Sequence, residues 1–208
     1  MNRSELKALQ SQINPHFLYN TLDSIIWMAE GKKYEDVVLM TASLARLLRQ
    51  SISNEDETVL IGQEIQYVKS YLTIQKMRYK NKFSADISVE PGVEKLYTIK
   101  LIIQPILENA IYHGMEYADG EGEIHIRAFR EGERVIIEVE DNGVGMTEAQ
   151  CAAILKKERS DSSGIGIKNV NDRLKIFFGD KYGITIRSEL DAGTCVTVRL
   201  PRVEKETD

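Results

Sequence analysis

One aspartate, two glycine pairs, a Glu-Asn dipeptide and one histidine carry the residue types that could do chemistry here. Asp141 closes a run of alternating apolar residues, and Gly143 and Gly145 follow it. A carboxylate at a strand end can accept a hydrogen bond from a flat ring bearing an amino group, such as adenine. Glycines lack Cβ and let the backbone come close to such a ring. Gly164 and Gly166 stand just before a helical stretch, where free backbone N–H groups suit a phosphate. Glu108-Asn109 lies inside another helical stretch, and the neutral oxygen of Asn109 suits Mg2+, which keeps few protein ligands and takes the rest from phosphate and water. Singly, each feature has a blander explanation, a turn or a solvated helix face. Their order and spacing together are specific.

The chain has three histidines, His16, His113 and His125. His125 alternates with Ile124 and Ile126 and belongs to the solvent side of a strand. His113 falls in the segment that carries Asn109. His16 is different: at roughly 100° per residue it lies about 150–180° from the apolar row Leu18, Leu22, Ile25 and Ala29. It therefore faces solvent if that row is core, with Asn20 one turn on along the same exposed face. Pro15 removes a helix hydrogen bond and is expected to kink the chain just ahead of it. A neutral imidazole is a good nucleophile near pH 7.

These residues need elements to hold them. Residues 4 to about 80 have helical periodicity in three stretches, about Ser4–Glu30, Tyr34–Ser53 and Gln63–Tyr79. Gly31 with Lys32 and Lys33 should stop the first. Val37, Leu44, Leu47, Leu48 and Ile52 are candidates for the buried side of the second, and Ile65, Val68 and Leu72 for the third. A short link between the first two makes an antiparallel hairpin that buries too little by itself, so it is expected to pair with a second copy as a four-helix bundle. From Phe83 the period becomes two. Strands are expected near 83–89, 124–128, 135–140, 183–189 and 195–200, with hairpins at Gly132 and at Asp191-Ala192-Gly193, and helices near 101–113, 147–157 and 168–178. The fold class is therefore α+β: a helical hairpin, residues 1 to about 58, followed by a two-layer α/β sandwich with a mixed sheet from about residue 59 onward.

Composition narrows the function classes. With 42% hydrophobic and 28% charged residues over 208 positions, the chain is an ordinary globular one. No apolar run approaches the roughly 18 residues of a membrane span, and a net charge of −5 disfavours nucleic acid as a partner. Cys151 and Cys195 read as two reduced thiols. The expectation is a soluble cytoplasmic piece of a longer protein.

The segments Gln104–Gly114, Glu140–Met146 and Ser163–Val170 resemble the N, G1 and G2 boxes of the ATP-binding fold shared by gyrase, heat-shock chaperones, MutL and histidine kinases, and Ala192–Val198 resembles its final strand. That resemblance covers about residues 97–202. It implies that Asn109 coordinates Mg2+, that Asp141 binds the adenine amino group, and that Gly143 and Gly145 line the adenine pocket. It further implies that Gly164 and Gly166 form a lid hinge near the phosphates and that Thr194 lies near adenine. The gyrase-like ATPases carry a water-activating Glu where this chain has Pro105, and many histidine kinases carry a Lys where it has Tyr112. Phosphate charge then falls to His113, Lys168 or Mg2+ itself.

The stretch Ser11–Leu22, with its Pro-His-Phe-Leu-Tyr-Asn core, resembles the phosphoacceptor box of LytS/YesM-type sensor histidine kinases. The resemblance implies an ATP-dependent autokinase in which His16 takes the γ-phosphoryl group, with Asn20 and Glu108 also catalytic, and passes it to an aspartate on a response-regulator receiver domain. It also implies a homodimer and a membrane-anchored parent. The common histidine kinases place an acid directly after the histidine; this chain has Phe17, so Asn20 or a group from the other domain must orient the ring. Two rival readings stay open on sequence: an ATPase or serine kinase on the same fold, and a dimeric binding module with a degenerate ATP site.

Overall fold

The computed structural model describes residues 15–51, 58–80, 82–115, 122–156 and 166–205. Helices α1 (Pro15–Glu30) and α2 (Tyr34–Ser51) form the expected antiparallel hairpin. The expected helix from Ser4, the kink ahead of Pro15 and Ile52 lie outside the described residues. The left-handed residue that ends α1 is Lys32 (φ 57), not Gly31. The N–H groups of Lys33 and Lys32 reach back to the carbonyls of Met28 and Ala29 at 2.9 and 3.0 Å, the paired bonds that close a helix C-terminus.

The face of α1 turned toward the rest of the chain differs from the expected apolar row. Phe17 and Thr21 are 4% and 0% exposed, whereas Leu22 is 42% exposed. Leu18 and Ile25 are half-buried at the edge of the core, and Ala29 is exposed. Phe17 sets this rotation by stacking on Tyr71 of the next helix, ring centroids 5.1 Å apart. On α2, Leu44 and Leu47 are buried as expected, joined by Met40 and Ser43; Val37 and Leu48 are half-buried.

Helix α3 (Ile61–Arg78) is the centre of the molecule. It buries Ile65, Val68 and Leu72 as expected, but also Tyr67, Tyr71 and Ile74 on other sides. Helices buried all round have neighbours all round: the hairpin packs on one flank, and the following helix and the sheet edge on another. Two elements are too short to show a period. Strand β1 (Thr58–Leu60) leads into α3 and pairs antiparallel with β3 (Tyr97–Ile99).

The main sheet has strands β2 (Phe83–Val89), β4 (Gly122–Glu131), β5 (Arg134–Asp141), β6 (Gly183–Glu189) and β7 (Gly193–Pro201), in the order β2-β4-β5-β7-β6. Only β2–β4 is parallel, so the sheet is mixed. Its inner face carries Ile124, Ile126, Val135, Ile137, Val196 and Val198, all buried. Helices α3, α4 (Ile103–Asn109) and α6 (Ile167–Phe178) cover that face, and α5 (Glu148–Lys156) lies against β6. The outer face is polar. His125 sits there as expected, paired with Asp86 and, at 3.6 Å, with Glu123. No described helix is long and apolar enough to cross a membrane.

Candidate functional site

Strand β5 delivers Asp141 at its last residue, on the inner face and 6% exposed. The cross-strand register sets Thr194 of β7 opposite it, and Thr194 is buried too, with its hydroxyl 2.7 Å from Ser188. The N–H of Gly143 donates to Asp141 Oδ1 at 2.9 Å. Burial pushes the Asp141 carboxyl up to about 6, against backbone N–H groups of Gly143 and Thr194 that pull it down. A cleft of about 500 Å3 opens beside it, lined among others by Asp141, Thr194, Ser188, Ile186, Glu148 and Cys151.

Two glycines are fixed here by the protein's own backbone. A Cβ on Gly145 (φ +66) would meet Glu189 O at 1.8 Å, and one on Gly193 (φ +110) would meet Asp141 O at 1.9 Å. Sequence reasoning reserved Gly145 for a ligand's approach; in the fold its first neighbour is the end of β6. Gly143 is buried and serves Asp141 as a donor.

Asn109 is the last residue of α4 and is half-buried. The helix then widens into a π turn, Ala110–Met115, a local defect common at functional sites. His113 stands within that turn. Glu108 takes a hydrogen bond from Gln104 Nε2 at 2.8 Å, and burial pushes its carboxyl up to about 7. The Tyr112 hydroxyl is buried without a hydrogen-bond partner among the described residues. It lies close enough to Tyr71 to help raise that phenol's pKa, behind burial and Glu108. Gly166 precedes α6 in extended conformation and is exposed, while Gly164 lies outside the described residues. Lys168 does not stand free for a phosphate: its Nζ is 2.7 Å from Asp172, one turn along α6.

His16 is exposed on α1, and the Asn20 amide nitrogen lies 3.1 Å from its Nδ1 and 3.3 Å from its Nε2. Phe17, at the position where an acid was missed, is an anchor. It stacks on Tyr71, with the Arg78 guanidinium 6.0 Å from its ring centroid. Tyr71 in turn accepts from Gln75, and its phenol is pushed up by burial and then by the Glu108 charge. The fold therefore gathers Asp141, Gly143 and Thr194 at one end of the sheet and joins Glu108 and Asn109 to the hairpin through α3. His16 is carried on α1, which packs against α2 and α3, and it does not line the Asp141 cleft.

Sequence reasoning missed Glu64. This α3 carboxylate is 5% exposed and accepts from the N–H groups that open α4. The signal was present: Glu64 falls between Ile61 and Val68, three and four residues away on a buried stripe, where a charge has to be explained.

Residues 4–83 match the histidine kinase family, and residues 95–204 match the histidine kinase-, DNA gyrase B-, and HSP90-like ATPase family. The chain is 39% identical over 201 residues to the sensor histidine kinase YesM of Bacillus subtilis, covering 97% of this chain and 34% of YesM. It spans about a third of the length of the curated sensor kinases it matches. Among solved structures it resembles the catalytic domain of histidine kinase ThkA, with a TM-score of 0.54 at 18% identity over 73% of this chain and 98% of that one. It also resembles the histidine kinase domain of the blue-light activated kinase EL346 from Erythrobacter litoralis, with a TM-score of 0.52 at 15% identity over 96% of this chain and 94% of that one. At those identities the likeness shows the shared fold.

Proposed function

This chain belongs to the histidine kinases, within the histidine kinase-, gyrase B- and HSP90-like ATPases, and from that premise we propose that it is the core of a two-component sensor kinase. It binds ATP, phosphorylates itself on His16 and passes the phosphoryl group to a receiver-domain aspartate. The observation that carries this reading is Asp141: a buried, backbone-held carboxylate at a strand end, beside an open cleft, in a chain whose other half offers an exposed nucleophile.

In this reading Asp141 accepts from the adenine amino group, Thr194 and the backbone near Gly143 and Gly145 close around the ring, and Gly164 and Gly166 flank the phosphates as a lid hinge. Asn109 fits a magnesium ligand. Among the described residues no group of three or more His, Cys, Asp and Glu side chains could hold a metal, so substrate phosphate and water would complete the coordination. Mg2+ would neutralise charge on the transferred phosphoryl group. With Tyr112 standing where many histidine kinases carry a Lys, His113 and Lys168 would supply phosphate charge; Lys168 would first have to leave Asp172. Glu108, beside Asn109 and bonded to Gln104, orients that end of α4.

His16 attacks phosphorus through a ring nitrogen free of hydrogen. The new N–P bond forms as the bond to ADP breaks, and the other ring nitrogen carries the hydrogen. An Asn20 carbonyl turned toward that N–H would hold this tautomer, and the stacked Phe17 fixes the backbone that carries the ring. The fold division at about residue 58, the homodimer, the receiver-domain partner and a membrane anchor in the parent protein belong to the same proposal. The sensor-kinase relatives support it. So does the apolar surface of the hairpin, where Tyr19, Leu22, Ile26, Trp27, Val38 and Leu39 are exposed in the single chain. Incubation with labelled ATP tests the reading: phosphate on the chain should be labile to acid and stable to alkali. Alkali-labile, acid-stable phosphate would move the chemistry to serine or threonine.

A further inference from the structure

Segment 100–103 leads into α4, and three other elements hold it. The first N–H groups of any helix lack intrahelical acceptors, and here no side chain of the segment itself caps α4. Glu64 supplies the acceptors from α3: Oε1 takes the N–H of Leu101 at 2.8 Å, and Oε2 takes those of Ile102 at 3.0 Å and Ile103 at 3.4 Å. From α6, Arg173 donates to the carbonyl of Lys100 at 2.9 Å. From the segment, Lys100 Nζ donates to the Gln50 carbonyl in the last turn of α2 at 3.0 Å. Leu101 holds a left-handed φ of 57, a conformation that persists in a branched residue only when its surroundings over-determine it. Burial pushes the Glu64 carboxyl up, and the three N–H groups and the Arg173 charge oppose that.

We propose that Glu64 is a positioning residue for phosphoryl transfer: by gripping the N–H groups of Leu101, Ile102 and Ile103 it fixes the place of α4, and so of Asn109. The inference rests on the reading that Asn109 works at the metal and phosphates. Helix α4 runs only from Ile103 to Asn109, about 10 Å at 1.5 Å per residue, so the gripped start and Asn109 lie about two turns apart on one short element. Asp141 stands on β5, outside this junction. Loosening the grip therefore separates two functions that ordinary unfolding would lose together: metal-dependent phosphate contact fails and adenine contact remains. The junction also joins the hairpin, through Lys100 and Gln50, to the helix behind Gly166, through Arg173.

The test uses the 208-residue chain carrying Glu64→Gln, which keeps the shape but turns one acceptor oxygen into a donor. ATP affinity is measured with and without Mg2+, autophosphorylation at saturating ATP, and folding by circular dichroism and melting. We expect the Mg2+-dependent gain in affinity to shrink at least fivefold and the phosphorylation rate at least tenfold, with Mg2+-free affinity within twofold of wild type. Unchanged rate and affinities overturn the proposal, and so does an equal loss of affinity with and without Mg2+, the mark of a merely structural residue. Should Glu64→Gln fail to fold, Arg173→Gln, which releases the same segment from the other side, is judged by the same criteria. Asn109→Ala is the control: if it leaves the Mg2+-dependent gain intact, the Asn109 reading fails and this inference with it, whereas loss there alone sinks only the role of Glu64.

Discussion

Replacing Asp141 with Asn should make the empty protein more stable while weakening its hold on ATP. The buried Asp141 carboxyl is raised to about 6 from 3.8, a gap worth about 3 kcal/mol, since each pKa unit is about 1.4 kcal/mol. The raised value means the folded state disfavours the charge. Below pH 3.8 the group is neutral folded and unfolded, and nothing is lost. The penalty grows between 3.8 and 6 and is complete above 6. The amide keeps an oxygen for the Gly143 N–H, now at 2.9 Å from Oδ1, but has one acceptor fewer for the Thr194 N–H that also bonds the carboxyl, returning about 1 kcal/mol. The net gain at pH 7.5 is then about 1–2 kcal/mol, or about 2–8 °C in melting temperature for a chain of this size. ATP binding should weaken about tenfold to a hundredfold, the worth of a charge-assisted bond, and wild-type affinity should itself fall as pH drops below about 6. Thermal melts of both chains from pH 4.5 to 8, with calorimetric ATP titrations at the same pH values, measure all of this. A variant less stable than wild type at pH 7.5, or a stability difference indifferent to pH, would rule out a buried charge at Asp141, and unchanged ATP affinity would remove Asp141 from the adenine site.

Asn109→Ala should abolish autophosphorylation and remove at least as much of the Mg2+-dependent gain in ATP affinity as Glu64→Gln, while Mg2+-free affinity stays near wild type, because a metal ligand acts mainly on the phosphates; equal activity would remove Asn109 from the site. Gly193→Ala should destabilise the fold by about 2 kcal/mol or more, since its Cβ would meet Asp141 O at 1.9 Å in a left-handed conformation; an unchanged melt would contradict the packing at the end of β7. Leu22→Asp should convert a dimer to monomer or aggregate on light scattering, and a wild-type chain that is monomeric at tens of micromolar (roughly, above ordinary dimer constants) would dispose of the hairpin-pairing argument.

The sheet strands were legible because one face of each is buried and one is wet, so period two survives in the residue types from Phe83 to Val89 and from Gly183 to Glu189. Strands β1 and β3 were not, since three residues give no period. The rotation of α1 was hidden for a related reason: its faces are apolar on more than one side, and only the Phe17–Tyr71 stack decides which meets α3. Asp141 could be nominated from its place at a strand end ahead of two glycines, and Thr194 from a family resemblance, but their pairing across β5 and β7 is a register between residues 53 apart in sequence. The same distance hid the second job of Gly145 and Gly193, which make room for the protein's own carbonyls. Lys168 shows the reverse: a cation legible as a phosphate contact is held by Asp172 one turn away. Glu64 was readable only as an anomaly, because its acceptors' partners lie 37 to 39 residues on.

Whether His16 accepts the phosphoryl group is decided by a single substitution. Wild-type and His16→Gln chains are incubated with γ-labelled ATP and Mg2+, and label on the protein is counted beside an ATP titration of each. His16 is exposed and lies outside the Asp141 cleft, so His16→Gln should keep its ATP affinity and lose all covalent label, with His125→Gln labelled like wild type. Phosphate still appearing on the His16→Gln chain would place the acceptor on another residue.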